Sequence, residues 1–176
     1  MNIVFKQVGN KDKQTVLQLF RNAAEKINRM NIDHWQYWIN PPIEKIKWVD
    51  EGIQNDEFYF VQTLNGECLG MVRIMEEDLL YWGKQKEKAR YIHSLVVTDK
   101  YNGKGIGNQI IQQIEENAKE DNCRYLRLDA DSKNPKLCSY YEKLGFEKVG
   151  TKELPLSTYN LYEKDLKSSD RMKIDI

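Results

Sequence analysis

The sequence predicts an α/β fold of the α+β kind: a mixed, mostly antiparallel sheet flanked by helices, in the order β-α-α-β-β-β-α-β-α-β-β. Three observations carry this. Short apolar runs bounded by turn residues recur along the chain. Two longer stretches repeat apolar residues at helical spacing. A glycine cluster, Gly103, Gly105 and Gly107, lies between an apolar run and a helical pattern.

Residues 2–8 read as a strand around Ile3 and Phe5. Over 11–28, Val16, Leu17, Leu19, Phe20, Ala23, Ala24 and Ile27 recur as one helical face, and Asp12 suits the first turn. Residues 31–42 are aromatic-rich, with His34, Trp35, Tyr37 and Trp38 ahead of Pro41 and Pro42, and a short helix follows over 43–53, stopping near Gly52. Residues 57–63 and 67–75 form a hairpin through Leu64-Asn65-Gly66, since Asn-Gly between apolar runs favours a tight reversal. The charged stretch 76–89, with Tyr81-Trp82-Gly83 at its middle, reads as a loop. Residues 90–97 are the strand feeding the glycines. Ile106, Ile110, Ile111, Ile114 and Ala118 make an apolar stripe that predicts a helix over 105–121. Then come a strand over 124–130, a helix over 135–144 closed by Gly145, and strands over 146–150 and 158–165. Residues 1–166 are expected to form one domain, and the polar tail 167–176 to fray.

The chain has 176 residues, enough to bury an ordinary core. Lys and Arg number 27, as do Asp and Glu, so there is no global electrostatic drive toward nucleic acid or an anionic membrane. Cys68, Cys123 and Cys138 have no CxxC spacing, which reads as reduced thiols in a cytoplasmic protein. The two histidines, His34 and His93, are far apart in sequence, so no metal motif is visible. The first residues lack a basic-then-apolar signal layout, and no apolar run is long enough to span a membrane.

The stretch from Leu95 to Asn108 reads as a phosphate cradle. Glycines let backbone amides approach an anion, and the free N–H groups of the following helix start favour one. A P-loop is excluded because Lys104 is followed by Gly105, which leaves no hydroxyl for magnesium. A dinucleotide fingerprint fits poorly: its third glycine position holds Asn108, although Asp129 could imitate the ribose-binding acid. A strand-to-helix turn without a ligand is the bland alternative.

A third pattern fits best. Asn102-Gly103-Lys104-Gly105-Ile106-Gly107 resembles motif A of the GNAT superfamily of N-acetyltransferases, Gln/Arg-x-x-Gly-x-Gly/Ala, departing from it at Asn102. Asn134-Pro135-Lys136-Leu137-Cys138-Ser139-Tyr140-Tyr141-Glu142-Lys143-Leu144-Gly145-Phe146 resembles the family's Asn-x-x-Ala-x-x-Phe-Tyr-Glu-Lys-x-Gly-Phe segment, with Cys138 and Tyr140 replacing Ala and Phe. The element order is that of a complete GNAT domain.

The resemblance implies that backbone N–H groups over Asn102, Gly103, Lys104, Gly105, Ile106, Gly107 and Asn108 bind the pyrophosphate of acetyl-CoA, a cosubstrate. The backbone of Leu95, Val96 and Val97 would contact the pantetheine arm and thioester. Tyr141 matches the tyrosine that supplies a proton or hydrogen bond to the coenzyme sulfur. A phenol near pKa ~10 can protonate a thiolate whose acid is near ~8.5. Asn134 matches a position that bonds the coenzyme arm, and equally suits a helix N-cap. His93, in a His-x-Leu-x-Val setting, is a candidate base or a satisfied half-buried histidine. Glu76, Glu77 and Asp78 could attract a cationic amine or be a solvated acid cluster. Trp35, Tyr37, Trp38, Tyr81 and Trp82 would border the acceptor or belong to the core. The expectation is an N-acetyltransferase acting on a primary amine of a small molecule or peptide by direct transfer in a ternary complex. It would need no metal, nucleic acid or membrane, and it could form a homodimer. The alternatives are an acyl-CoA-binding domain without turnover and a nucleotide-binding module of another class.

Overall fold

In the computed structural model, which describes residues 2–167, the elements are β1 (Ile3–Gln7), α1 (Lys13–Arg29), α2 (Ile43–Gln54), β2 (Phe58–Thr63), β3 (Cys68–Met75), α3 (Leu79–Trp82), β4 (Ala89–Val97), α4 (Ile106–Glu120), β5 (Tyr125–Asp131), α5 (Pro135–Lys143), β6 (Glu147–Leu154) and β7 (Ser157–Asp165), with 3-10 turns at Asn10–Asp12, Gln36–Trp38 and Asp99–Tyr101. The strands hydrogen-bond in the order β1-β2-β3-β4-β5-β7-β6. β4 and β5 run parallel, while β1–β2, β2–β3, β5–β7 and β6–β7 are antiparallel. The expected mixed sheet flanked by helices is therefore present.

Two local expectations need correction. Residues 76–89 are not all loop, because Asp78 caps the short helix α3 by accepting from the Tyr81 N–H at 3.2 Å. Four residues are too few to show a helical period in sequence. β6 continues to Leu154, since β7 pairs with it through Leu154↔Ser157. Asp12 lies at the helix start as expected, in the 3-10 turn Asn10–Asp12 and at the N-cap position of α1, its side chain accepting from the Gly9 N–H at 2.9 Å. The tail expectation falls, beyond Lys167, outside the described residues.

The chain divides into two compact units, one of residues 2–74 with 94–110 and the other of residues 75–93 with 111–167, and β4 passes from the second into the first after His93. In the first unit, Val16, Phe20 and Ala24 of α1 repeat every fourth residue and pack with Val49 and Ile53 of α2, Phe58 and Phe60 of β2, Met71 of β3 and Val96 of β4. Arg73 is buried among them. Its guanidinium bonds Glu57 at 2.5 and 2.9 Å and the Trp48 carbonyl at 3.1 Å, and lies 4.1 Å from the centre of the Trp48 ring.

In the second unit, β4 pairs with β5 from Ala89↔Tyr125 to Ile92↔Leu128. Parallel neighbours cannot be joined by a tight turn, and α4 supplies the crossover. Leu126, Leu128 and Ala130 are buried at alternate positions of β5, and Ile111, Ile114 and Ala118 are buried along α4. Arg127 is also buried, between Glu163 at 2.7 Å and the Tyr91 hydroxyl at 2.9 Å. Cys68, Cys123 and Cys138 are free thiols. Among the described residues no helix is long and apolar enough to cross a membrane.

One close approach shapes the β3–β4 junction. A Cβ at Gly70 would collide with the Val96 carbonyl oxygen, a backbone atom that cannot rotate away. Gly70→Ala is expected to destabilise the protein by at least about 1–3 kcal/mol in urea unfolding. An unchanged midpoint would show that β4 can move aside.

Candidate active site

The first unit carries the glycine loop. β4 ends at Val97, Thr98 donates from its N–H to the Leu69 carbonyl at 2.9 Å, and a 3-10 turn leads to Asn102. Gly103 and Gly105 have φ of +72° and +75°, conformations a Cβ disfavours. No atom stands within 4 Å of where either Cβ would be, so the face of the loop is open to a ligand. Ile106 is buried and anchors the first turn of α4, whose helical ladder begins with the Gln109 N–H on the Gly105 carbonyl at 3.2 Å. Two of the N–H groups expected to bind the pyrophosphate are already bonded within the loop, Asn102 to the Asp99 carbonyl at 3.2 Å and Lys104 to the Tyr101 carbonyl at 3.3 Å. Lys100 forms an ion pair with Glu67, and both Lys100 and Lys104 lie over the Tyr101 ring.

Strand geometry sorts the three residues ahead of the loop. The N–H and C=O of one residue share an edge, and the edge alternates along the strand. The Val96 carbonyl faces Gly70, so the polar groups of Leu95 and Val97 face the opposite edge. Ser94, with φ of +54°, is a left-handed residue inside β4 and interrupts the pleat just before them. The first unit also holds a cleft of about 200 Å³ lined by Asn22, Ala23 and Glu25 of α1 and by Val96, Val97 and Thr98.

The second unit carries a buried chain of ionisable groups. His93 Nε2 lies 2.7 Å from Asp78 Oδ2, and His93 Nδ1 lies 3.4 Å from Asp129 Oδ1 without hydrogen-bond geometry. The three side chains are 11%, 4% and 10% exposed. The register explains the meeting, because Ile92 pairs with Leu128 and His93 and Asp129 are the next residues of the two strands. The Tyr81 ring lies 5.3 Å from the His93 ring and 5.3 Å from Tyr159. Asp131, two residues beyond Asp129, is fully engaged: its Oδ1 accepts from Ser157 Oγ at 2.7 Å and from the Lys133 N–H at 2.9 Å. Asp129 Oδ1 is buried and accepts no hydrogen bond.

These surroundings shift the acids and phenols. Burial lifts the Asp129 carboxyl from 3.8 to about 6; the His93 charge pulls it down, and Asp78 and Asp131 push it up. Burial, aided by Tyr140, Asp129 and Cys138, holds the Tyr141 phenol well above its ordinary value, so it keeps its proton at neutral pH. Tyr141 is buried on α5, its ring 5.4 Å from Tyr140 and 6.0 Å from Phe146. Asp78, His93 and Asp129 are also the group among the described residues whose ligand atoms come close enough for a metal ion. As they stand, however, the two acids occupy different ring nitrogens, so the imidazole bridges them and does not join them on one point.

The remaining expected residues take varied places. Asn134 is an N-cap, its Oδ1 accepting from the Leu137 N–H at 3.1 Å. Trp38 is buried and stacks on Phe20 at 3.8 Å, a packing position, while Trp35 is half-buried with its ring 5.7 Å from Phe20. Glu76 is exposed and pairs with Arg90 at 3.2 Å. The solvated reading of the acid cluster fails for Asp78, which is buried against His93. Asp129, read as a stand-in for a ribose-binding acid, lies beside His93. Its only sequence signal is an acid inside an apolar strand, and pairing it with His93 requires the β4–β5 register.

The family model described as the acetyltransferase (GNAT) family matches residues 25–146. The uncharacterized N-acetyltransferase YesJ of Bacillus subtilis is 30% identical over 112 residues, which cover 61% of this chain and 61% of that protein, so the chain spans less than two thirds of this relative. An acetyltransferase of the GNAT family from Listeria monocytogenes superposes with a TM-score of 0.76 at 21% identity, covering 93% of this chain and 94% of the other. The aminoglycoside acetyltransferase AAC(6')-Ib, solved with coenzyme A and kanamycin, superposes with a TM-score of 0.72 at 18% identity, covering 98% and 99%.

The shifted acid has a consequence for stability. With its folded value raised from 3.8 to about 6, Asp129 keeps its proton in the folded protein between those two values while the unfolded chain ionises. Stability is therefore lost as pH rises from about 4 to about 6, by up to about 3 kcal/mol. Asp129→Asn is expected to remove this fall, so its melting temperature should exceed that of the parent at pH ~7 and converge with it near pH ~4. Parallel melting curves across that window would contradict the assignment.

Proposed function

The chain belongs to the GNAT acetyltransferase family, and we propose that it transfers the acetyl group of acetyl-CoA to a primary amine of a small molecule by direct attack in a ternary complex. The observation that carries the catalytic half of this reading is the buried bridge from Asp78 through His93 to Asp129. Burying three ionisable groups together costs free energy, and a domain that only held acyl-CoA would have no use for them.

Each step has a candidate group. The open glycine loop and the first turn of α4 would take the pyrophosphate on backbone N–H groups, where the helix dipole favours negative charge. Asn102, exposed at the loop's start, leaves that backbone chemistry intact. The outward polar groups of Leu95 and Val97 would bond the pantetheine arm and polarise the thioester carbonyl. The amine arrives as an ammonium and must lose a proton before it can attack, and the His93 cluster provides the path. Attack forms the C–N bond and a tetrahedral oxyanion. Its collapse breaks the C–S bond, and the Tyr141 phenol, kept protonated by burial, protonates the leaving sulfur. Tyr81, Trp35 and Glu76 would border the acceptor; the kanamycin bound to AAC(6')-Ib supports a multiply charged amine as the first class to try.

Calorimetric titration with acetyl-CoA, desulfo-CoA, NAD and ATP tests the donor. Micromolar, coenzyme-A-selective binding is expected, and a preference for NAD or ATP would remove the assignment. Tyr141→Phe is expected to bind acetyl-CoA as the parent does while lowering kcat by about 10²-fold or more, followed as thiol release in the presence of an amine panel. Undiminished turnover would take Tyr141 out of the mechanism.

A further inference from the structure

We propose that Asp129 is the proton acceptor for the incoming ammonium, receiving the proton on Oδ1, and that His93, held by Asp78, is a positioning cation behind it. The inference rests on the acetyl-transfer reading and assigns the base within it.

A general base needs a lone pair free to point at the proton it removes. His93 is poorly placed to offer one. Its Nε2 is 2.7 Å from Asp78 Oδ2 and its Nδ1 faces Asp129 Oδ1 at 3.4 Å. Between two carboxylates the ring is best satisfied as an imidazolium with both nitrogens protonated. Asp129 is the converse case. Its side chain is nine-tenths buried, and Oδ1 accepts no hydrogen bond. At 3.4 Å the His93 ring gives this oxygen an ion pair but no hydrogen bond; a buried carboxylate oxygen without a hydrogen bond is costly, and an arriving ammonium would supply the donor. Asp131 is a control on the same strand: also buried, but with Oδ1 already bonded to Ser157 and Lys133.

The chemistry is consistent with that geometry. An ordinary aspartate, near pKa ~3.9, competes weakly for an ammonium proton. The groups facing Asp129 are His93 of β4, Asp78 at the head of α3, Asp131 of β5, Tyr141 of α5 and Tyr159 of β7. Burial above all raises its carboxyl to about 6, close to a working pH, with His93 pulling it down and Asp78 and Asp131 pushing it up. The aromatic faces of Tyr81 and Tyr159 near the acid would suit a cation. The protons balance. One proton passes from the ammonium to Asp129 Oδ1, and the neutral nitrogen attacks. Sulfur leaves with the Tyr141 proton, and the second nitrogen proton returns to the Tyr141 phenolate. Asp129 then releases its proton to solvent, giving the one net proton that amide formation from an ammonium and a thioester requires.

Two measurements test this separately from the acetyl-transfer reading. The first needs no acceptor. Histidine-ring ¹⁵N spectra are simple because the chain has two histidines, His34 and His93, and His93→Gln assigns the signals. The His93 ring is expected to hold both protons at pH ~7 and to lose the second at lower pH in Asp129→Asn and in Asp78→Asn. A His93 titration unmoved by Asp129→Asn overturns the inference whatever the assay shows. The second is the pH dependence of kcat, read as thiol release with spermidine and with kanamycin as probes. The parent should show an acid limb near pH ~6. Asp129→Asn should lower kcat by about 10²-fold or more and lose that limb, and Asp129→Glu should recover part of the rate. His93→Gln should shift the limb and keep it. A limb retained in Asp129→Asn and lost in His93→Gln would return the base to His93. A parent that releases no thiol with any amine would count against acetyl transfer itself, and the ring titration would then decide whether Asp129 and His93 share a proton.

Discussion

Two parallel neighbours in a sheet cannot be closed by a turn, so the chain between β4 and β5 must leave the sheet, cross over as α4 and return. Much of the functional arrangement follows from that requirement. The strand has to stop and a helix has to start within a few residues, which places the glycine loop at the N-terminal end of α4. The same pairing sets the register Ile92↔Leu128, and one residue further on the sequence offers His93 on one strand and Asp129 on the other. A slip of one residue would turn one of them to the opposite face.

Buried charge is handled in two ways in this protein. Arg73 and Arg127 are each enclosed by an acid and by aromatic rings, Glu57 with Trp48 in one case and Glu163 with Trp82 and Tyr125 in the other. Their hydrogen bonds are short and they join elements distant in sequence, a structural use of charge. Asp78, His93 and Asp129 are also largely buried, yet one atom of the set, Asp129 Oδ1, accepts no hydrogen bond. An acid that is buried, shifted and incompletely bonded is what a proton-transfer site requires and what a structural ion pair avoids.

Tyr141 illustrates how packing and chemistry coincide. Enclosure by Tyr140, Phe146 and Tyr162 fills the core beside α5 and at the same time keeps the phenol protonated. Gly70 plays a similar double part in the other unit. Its missing side chain lets β3 approach the Val96 carbonyl, and with Val96 facing that edge, strand alternation turns the polar groups of Leu95 and Val97 to the other.

Local patterns in the chain were sufficient for much of this. Helical spacing from Val16 to Ala24 and from Ile106 to Ala118 determined α1 and α4, Asn65-Gly66 determined the β2–β3 hairpin, and the spaced Gly103–Gly107 and Asn134–Phe146 segments determined the family and the place of Tyr141. These signals are legible because each depends on neighbours within a turn or two of the backbone. Helix α3, the burial of Asp78, the packing of Trp38 on Phe20 and the meeting of His93 with Asp129 were decided only by tertiary structure. A four-residue helix has no period to detect, an acid's burial depends on what covers it, and two residues 36 positions apart become neighbours only through strand register. The sequence supplied the ionisable groups, and long-range pairing selected which of them meet.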